Sequence, residues 1–150
     1  MRTILVVDDD PGVLECLASI LERFNHRVVR AETAKVALNV VAEGIVFDLA
    51  IVDVQLPGMN GLELVRALKN TRPSLPMIIL TGNGSLETYC AASALGVEKY
   101  VIKPIRAREL GQLVAEMLKE AAPVSSLTDA TDYDFMLKQL NSANVKHREA

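Results

Sequence analysis

The chain has 150 residues, of which half are apolar, and its 16 basic and 19 acidic residues give a formal net charge of −3. This length is most simply one domain with a core large enough to be stable without disulfides or structural metals. The acidic balance argues against a chain that coats nucleic acid or an anionic membrane, so we expect neither direct nucleic-acid binding nor membrane attachment.

The first part of the sequence alternates short apolar runs with stretches of helical spacing. Three of the runs are predicted to be strands: Ile4–Val7, Arg27–Ala31 and Leu49–Val52. A helix is predicted after the first strand, with Asp10 as its N-cap and Pro11 in its first turn. A second helix is predicted from about Ala34.

The same alternation continues through the second part of the sequence. Gly58 and Gly61 mark a loop, and a third helix is predicted directly after it. Four further elements are predicted: a strand over 76–81, a helix over 86–95, a strand over about 97–102, and a helix from after Pro104 to about 121. Gly96 is suited to close the helix before the fifth strand.

Repeated alternation of strand and helix predicts a parallel sheet with helices on both faces, because parallel crossovers are right-handed and carry their helices to the faces. We therefore expect an α/β fold, a doubly wound five-stranded parallel sheet with five flanking helices, over residues 1–121. Residues 122–150 begin small and polar and then regain apolar residues at helical spacing. This change predicts a linker and a short helical C-terminal extension.

Functional groups of open parallel sheets gather beyond the carboxyl ends of the strands. The sequence places six polar residues there: Asp8, Asp9 and Asp10 after the first strand, Asp53 after the third, Thr81 at the end of the fourth and Lys103 after the fifth. Carboxylates that lie close together repel one another unless a cation holds them, and an all-oxygen set suits Mg²⁺. Such a site can orient a phosphoryl group for attack by a carboxylate.

Some polar residues have simpler structural interpretations. Asp10 is expected to be a helix cap rather than a metal ligand, because Asp is a preferred N-cap residue. Cys16 and Cys90 lack metal-binding spacing, so both are expected to be reduced thiols in the core. Reduced thiols favour a cytoplasmic location.

Four stretches resemble the receiver domains of bacterial two-component response regulators. They are ILVVDDD at 4–10, FDLAIVD at 47–53 with LPGMNG at 56–61, LTG at 80–82, and YVIKP at 100–104. The stretches occur in that family's order and with its spacing, and the resemblance covers residues 1 to about 121. It implies a flavodoxin-like sheet with the strand order 2-1-3-4-5.

The resemblance also implies which residues take part in phosphoryl transfer. Asp53 would accept the phosphoryl group. Mg²⁺ would be held by the side chains of Asp8, Asp9 and Asp53 and by the backbone carbonyl of Gln55.

A second group of residues would respond to the phosphoryl group. Thr81 is similar to the family's switch hydroxyl, and Lys103 to the cation that pairs with a phosphoryl oxygen, with a cis bond to Pro104. Tyr100 is similar to the aromatic rotamer switch, although a Tyr on an edge strand can also be half-buried packing.

The family implies a phospho-accepting regulator rather than an enzyme, since it catalyses only its own phosphoryl transfer and dephosphorylation. Its partners would be a sensor histidine kinase, which supplies the phosphoryl group from a phosphohistidine, and a downstream output domain or protein. A homodimer through the face between the fourth and fifth helices is a further hypothesis from this resemblance.

Two other functions stay open from the residues alone. A Mg²⁺-dependent phosphatase of the haloacid-dehalogenase type also forms an aspartyl phosphate, and it places a second Asp two residues after the nucleophile, a spacing that Asp8 and Asp10 share. A receiver could also signal by protein contact without phosphorylation. The complete set of acidic residues disfavours that last possibility.

Overall fold

The computed structural model of the chain describes residues 1–119, within which five strands alternate with five helices. The strands are β1 Thr3–Val7, β2 Arg27–Ala31, β3 Leu49–Val52, β4 Met77–Thr81 and β5 Lys99–Ile102. The helices are α1 Pro11–Arg23, α2 Ala34–Ala42, α3 Gly61–Thr71, α4 Leu86–Ala94 and α5 Ala107–Met117. Each strand and helix predicted within these residues is present.

All five strands are parallel, in the order β2-β1-β3-β4-β5, which confirms the doubly wound, flavodoxin-like fold. Successive residues of a strand point to opposite faces of the sheet. Ile4 and Val6 of β1 therefore pack in the core under α1 and α5, whereas Leu5 and Val7 pack in the core under α2, α3 and α4. The central strands are covered on both faces. Because all strands are parallel, their carboxyl ends lie together at one edge of the sheet.

Side-chain caps start four of the five helices that leave this edge, all except α5. The Asp10 carboxylate accepts hydrogen bonds from the backbone of Gly12 and Val13, which confirms Asp10 as the N-cap of α1. Asn60 accepts one from the backbone of Glu63 and caps α3 in the same way. These caps fix the residue at which α1 and α3 begin, and thus the length of the loop that joins each helix to the strand before it.

The fifth strand begins two residues later than the sequence predicts, at Lys99. Gly96 has a φ of +84°, and the backbone N–H of Val97 donates to the carbonyl of Ala92, five residues back. This is the hydrogen bond that closes a helix through a left-handed glycine. Val97 therefore belongs to the end of α4 and is not available to start the strand.

Helix α4 is attached more lightly than the sequence suggests. Ala92 is its one residue that is fully buried. Cys90 is consequently exposed, and its predicted place in the core is wrong, whereas Cys16 on α1 is buried as predicted. The physical reason is that α4 rests on the sheet through small side chains along a narrow strip.

Two predictions concern residues beyond those the structure describes. The last helix runs over Ala107–Met117, and its predicted end at about 121 lies outside the described residues. The linker and short helix predicted over 122–150 lie outside them as well. Within residues 1–119, no helix combines the length and the apolar character that crossing a membrane requires.

Candidate functional site

Four polar side chains meet where β1, β3, β4 and β5 end. Asp8 follows β1, Asp53 follows β3, Thr81 ends β4 and Lys103 follows β5, and all four are buried. Backbone hydrogen bonds hold the strand ends level, since the Asp53 N–H donates to the carbonyl of Val7 and the Lys103 N–H donates to that of Thr81. The structure therefore brings the predicted residues together at one edge of the sheet.

Lys103 is the centre of the charge arrangement. Its ammonium nitrogen lies 2.6 Å from an Asp8 carboxylate oxygen (Oδ2) and 3.2 Å from an Asp53 oxygen (Oδ2). The side chains of all three residues are almost completely withdrawn from solvent. One buried cation thus contacts two buried carboxylates, which leaves the cluster with an excess of negative charge.

Backbone amides orient both carboxylates. The second oxygen of Asp8 (Oδ1) accepts a hydrogen bond of 3.0 Å from the backbone of Asp10, and that of Asp53 accepts one of 3.0 Å from the backbone of Gln55. Each carboxylate is therefore held on one side by a main-chain N–H and on the other by Lys103. Fixed carboxylates of this kind are suited to hold a cation or attack a reactant without rearrangement.

The burial of the cluster changes how its groups ionise. Loss of hydration raises the pKa of Asp8 from 3.8 to about 6, because Lys103 lowers this pKa by less than burial and the Asp53 charge together raise it. For Lys103, burial favours the neutral amine, but the carboxylates of Asp8 and Asp53 outweigh that effect and raise its pKa. The ammonium stays charged, and the cluster gains from an additional cation.

The residues present fit a Mg²⁺ ion. One carboxylate oxygen from each of Asp8, Asp9 and Asp53 lies within 4.8 Å of the others. The Asp9 oxygen Oδ1 is buried and accepts no hydrogen bond from any described residue. A buried carboxylate oxygen needs a partner, and an all-oxygen set suits a hard divalent cation. The acidic triad therefore fits a Mg²⁺ site, as the sequence predicts.

Thr81 and Tyr100 lie at different places relative to the cluster. Thr81 is fully buried at the end of β4, and its hydroxyl accepts a hydrogen bond of 3.4 Å from the backbone of Asn83. The hydroxyl of Tyr100 instead lies 2.6 Å from that of Thr88, in the first turn of α4. The Tyr100 side chain therefore reaches the first turn of α4 in this structure.

Sequence reasoning missed two features that position these groups. It took Gly61 only as a loop signal, but a Cβ at Gly61 would overlap the carbonyl oxygen of Asp53. It also overlooked the capping box of Ser85 and Thr88 at the start of α4. The second feature had only part of the usual local signal, since Ser85 is a preferred N-cap residue but the third helical residue is Thr88 instead of the Glu or Gln typical of a capping box. The bond between Lys103 and Pro104 is cis, in agreement with the resemblance.

Comparison with known sequences identifies a related family. Residues 4–115 match the family described as "Response regulator receiver domain". The transcriptional regulatory protein GlrR of Escherichia coli (strain K12) is 35% identical over 122 residues, which cover 81% of this chain and 27% of that protein. The chain thus spans about a quarter of the length of such curated relatives.

Solved structures show the same fold. A CheY-like receiver domain protein from Methanospirillum hungatei JF-1 has 35% sequence identity and a TM-score of 0.77, and the similarity covers 79% of this chain and 94% of that one. The response regulator TrrA from Thermotoga maritima, in complex with Mg²⁺ and BeF, has 30% identity and a TM-score of 0.71, with 78% and 99% covered. The shared region is nearly the whole of each of these two solved chains.

Proposed function

Since this chain belongs to the response regulator receiver domain family, we propose that Asp53 is the residue on which it accepts a phosphoryl group. A receiver is a phospho-accepting switch rather than an enzyme that turns over a separate substrate, and this family membership replaces the haloacid-dehalogenase alternative. The observation that supports Asp53 is its place: a buried carboxylate beside Lys103 and within 4.8 Å of two other acidic side chains.

The proposed chemistry assigns the acidic triad two tasks. Asp8 and Asp9, with Asp53 and the backbone carbonyl of Gln55, hold Mg²⁺, which when bound neutralises negative charge on the carboxylates and on the phosphoryl oxygens. An Asp53 carboxylate oxygen forms the bond to phosphorus, while the bond from phosphorus to the donor atom breaks and its electron pair leaves with the donor. The product is an acyl phosphate on Asp53.

Lys103 and Thr81 are proposed to stabilise that product. The contact of Lys103 to Asp53 is longer than its contact to Asp8, 3.2 Å against 2.6 Å. Lys103 can therefore transfer its weaker contact to a phosphoryl oxygen and keep the stronger one. The Thr81 hydroxyl, which accepts a long hydrogen bond from Asn83, would donate to another phosphoryl oxygen. Tyr100 would then move as the aromatic switch.

Phosphorylation by a small donor tests this assignment. With Mg²⁺ and acetyl phosphate, intact-mass spectrometry is expected to show the addition of one phosphoryl group, and EDTA should prevent it. Asp53→Asn should remove the signal, because the amide keeps the shape of the side chain and loses the nucleophilic oxygen charge. Asp10→Asn is the matched control and should still be phosphorylated, since Asp10 acts as a helix cap. An unmodified wild-type chain would contradict the proposal, and would favour a receiver that acts by contact alone.

The partners and organisation of the whole protein are also proposals. We infer a sensor histidine kinase as the phosphoryl donor, through a phosphohistidine, and a downstream output domain or protein as the recipient of the signal. Residues 1–121 would be the receiver, and 122–150 a linker with a short helical extension. A cytoplasmic location agrees with the free thiols of Cys16 and Cys90, which a reducing compartment would preserve.

A homodimer through the face of α4, β5 and α5 is supported by the apolar side chains exposed there. Leu86 is 77% exposed, and Tyr89 and Ile102 are about half exposed. An apolar group of this kind on the surface is typical of a protein contact. Light scattering with Mg²⁺ and acetyl phosphate is expected to show a doubled mass, which Leu86→Glu should prevent because it places a charge in the contact. A mass that stays that of a monomer after phosphorylation would contradict the dimer.

A further inference from the structure

A groove lies at the edge of the sheet where the strands begin, opposite the acidic cluster. One side is formed by residues 46–48, directly before β3, and the other by residues 71–76, directly before β4. Its volume of about 450 Å³ is in the range of ligand-binding clefts. This amino-edge groove is a surface that phosphoryl transfer at Asp53 does not use.

The residues of the amino-edge groove are largely apolar. Phe47 and Leu75 are almost completely buried, whereas Val46 is 72% exposed and Pro73 is exposed as well. Exposed apolar side chains that adjoin a cleft are typical of a surface that another segment covers. The groove therefore favours a partner that brings apolar side chains.

Arg72 adds a positive charge to one side of the groove. Its guanidinium donates hydrogen bonds of 3.2 Å and 3.3 Å to the backbone carbonyls of Val41 and Ile45. No carboxylate of residues 1–119 forms an ion pair with it. The Asp48 carboxylate on the other side is used by Arg2 and by a backbone amide of β1. The groove therefore suits a partner that is acidic as well as apolar.

Helix α5 ends at the same edge of the sheet. Glu116, in its last turn, has a carboxylate oxygen 3.8 Å from the ammonium of Lys99, the first residue of β5. Strand β5 is the neighbour of β4, and neighbouring strands are about 4.8 Å apart, so the end of α5 lies near the groove. Lys119 has a φ of +56°, and its N–H donates to the Glu116 carbonyl, so the helix closes here and the chain turns.

The sequence beyond residue 119 contains a segment of matching chemistry. Its apolar residues recur at helical spacing and are Tyr133, Met136, Leu137 and Leu140. Its carboxylates belong to Asp129, Asp132 and Asp134. The 13 peptide bonds between Lys119 and Asp132 span up to about 45 Å when extended, whereas a five-stranded sheet is only about 20 Å wide. The segment can therefore reach the groove.

We propose that residues 129–140 dock in the amino-edge groove of their own chain, with the apolar residues against Val46 and Pro73 and the carboxylates beside Arg72. Because the segment is tethered, its effective concentration at the groove is in the millimolar range, so contacts that are individually weak are sufficient. The groove lies at the opposite edge of the sheet from Asp53. Docking therefore does not depend on phosphorylation, and a failure of this inference would leave the proposed function intact.

A tryptophan at position 133 can report the docking, because the chain contains no other tryptophan. In the 150-residue chain with Tyr133→Trp, the emission maximum should lie at a shorter wavelength than in a free peptide of residues 126–140 with the same substitution. Acrylamide should also quench the emission several-fold less efficiently in the chain than in the peptide. Both results are expected because docking removes the indole ring from water.

A charge in the groove should release the segment. In the Tyr133→Trp background, Val46→Glu should move the emission and the quenching to the values of the peptide, because it places a charge among the apolar residues. Val36→Glu is the matched control and should change neither: Val36 is 40% exposed and lies near the start of α2, at the carboxyl edge of the sheet. Far-UV circular dichroism should be the same in both variants, since both positions are exposed.

The pairing with Arg72 has a separate test. Replacing both Asp132 and Asp134 by Asn should raise the ratio of undocked to docked segment by up to about fivefold, as expected for an exposed ion pair, and high salt should act in the same direction. A tryptophan as accessible in the chain as in the peptide would overturn the proposal, as would emission that Val46→Glu leaves unchanged. Emission that changes when the protein is diluted would also overturn it, since the groove would then hold the segment of a second copy.

Discussion

Replacing Lys103 by Met is expected to lower the free energy of unfolding by about 3–5 kcal/mol at neutral pH and to abolish phosphorylation by acetyl phosphate. The Lys103 side chain is fully buried, and its ammonium contacts both Asp8 and Asp53. Met has a similar length and no charge, so the substitution leaves two carboxylates buried without their cation. Removing one partner from a buried ion pair costs far more than the pair itself contributes.

The size of this loss depends on pH through Asp8. The native pKa of Asp8 is raised from 3.8 to about 6, so between these values the native state binds a proton that the unfolded chain has released. The contribution of Asp8 to stability is therefore present at low pH and is lost as the pH rises through this interval. Lys103 opposes the rise in this pKa, so Lys103→Met should raise it further and extend the loss above pH 6.

Urea unfolding at several pH values, with Mg²⁺ or with EDTA, measures this effect. Wild type and Lys103→Met should differ least near pH 4, where Asp8 is protonated in both, and most near pH 8. Mg²⁺ should recover part of the loss, since it brings positive charge to the same carboxylates. Lys99→Met is the matched control: the side chain of this lysine is 43% exposed, its partner Glu116 is 3.8 Å away, and a change below about 1 kcal/mol is expected. A loss of unfolding free energy in Lys103→Met that does not change with pH would show that Asp8 is not the cause of the effect.

The part of the site that could be predicted follows from the geometry of parallel strands. Asp8, Asp53, Thr81 and Lys103 each stand at the end of an apolar run, and parallel strands of a doubly wound sheet present their carboxyl ends at one edge. No knowledge of side-chain contacts is needed for this step. The strand periodicity places the residues within reach, and the repulsion among the carboxylates then requires a cation.

The part that could not be predicted depends on packing between elements distant in sequence. The direction of Tyr100 is set by Thr88 on α4, twelve residues earlier, and by the absence of a side chain on Gly84. The exposure of Cys90 follows from how lightly α4 rests on the sheet. The helix or strand propensity of a residue and its spacing in the sequence do not contain this information. The direction of Tyr100 and the exposure of Cys90 depend instead on the distance between two packed surfaces.

Gly61→Ala is expected to destabilise the fold by about 3 kcal/mol or more and to weaken both Mg²⁺ binding and phosphorylation. Gly61 is the first residue of α3, and its backbone N–H donates to the carbonyl of Val54 at 2.7 Å. An added Cβ would overlap the carbonyl oxygen of Asp53 and lie 2.7 Å from the Cα of Val54. Both obstacles are backbone atoms, so relief requires α3 to move away from the segment that carries Asp53.

Two other glycines distinguish this collision from the ordinary effects of the same substitution. Gly44 has a φ of +89° and open space around it, so Gly44→Ala should cost only about 1 kcal/mol of conformational strain. A Cβ at Gly111 would overlap the ring of Phe24, but a side chain can turn aside, so Gly111→Ala should also cost less than Gly61→Ala. The φ of Gly61 is not positive, so backbone strain does not explain a loss of stability in Gly61→Ala. By helix propensity alone, alanine at the start of α3 would be favourable. A cost at Gly61 no larger than at Gly44, with Mg²⁺ binding by titration calorimetry unchanged, would show that α3 can shift without moving Asp53. The expected result is that Mg²⁺ binding weakens in Gly61→Ala alone among the three, because only this glycine lies against the backbone of Asp53.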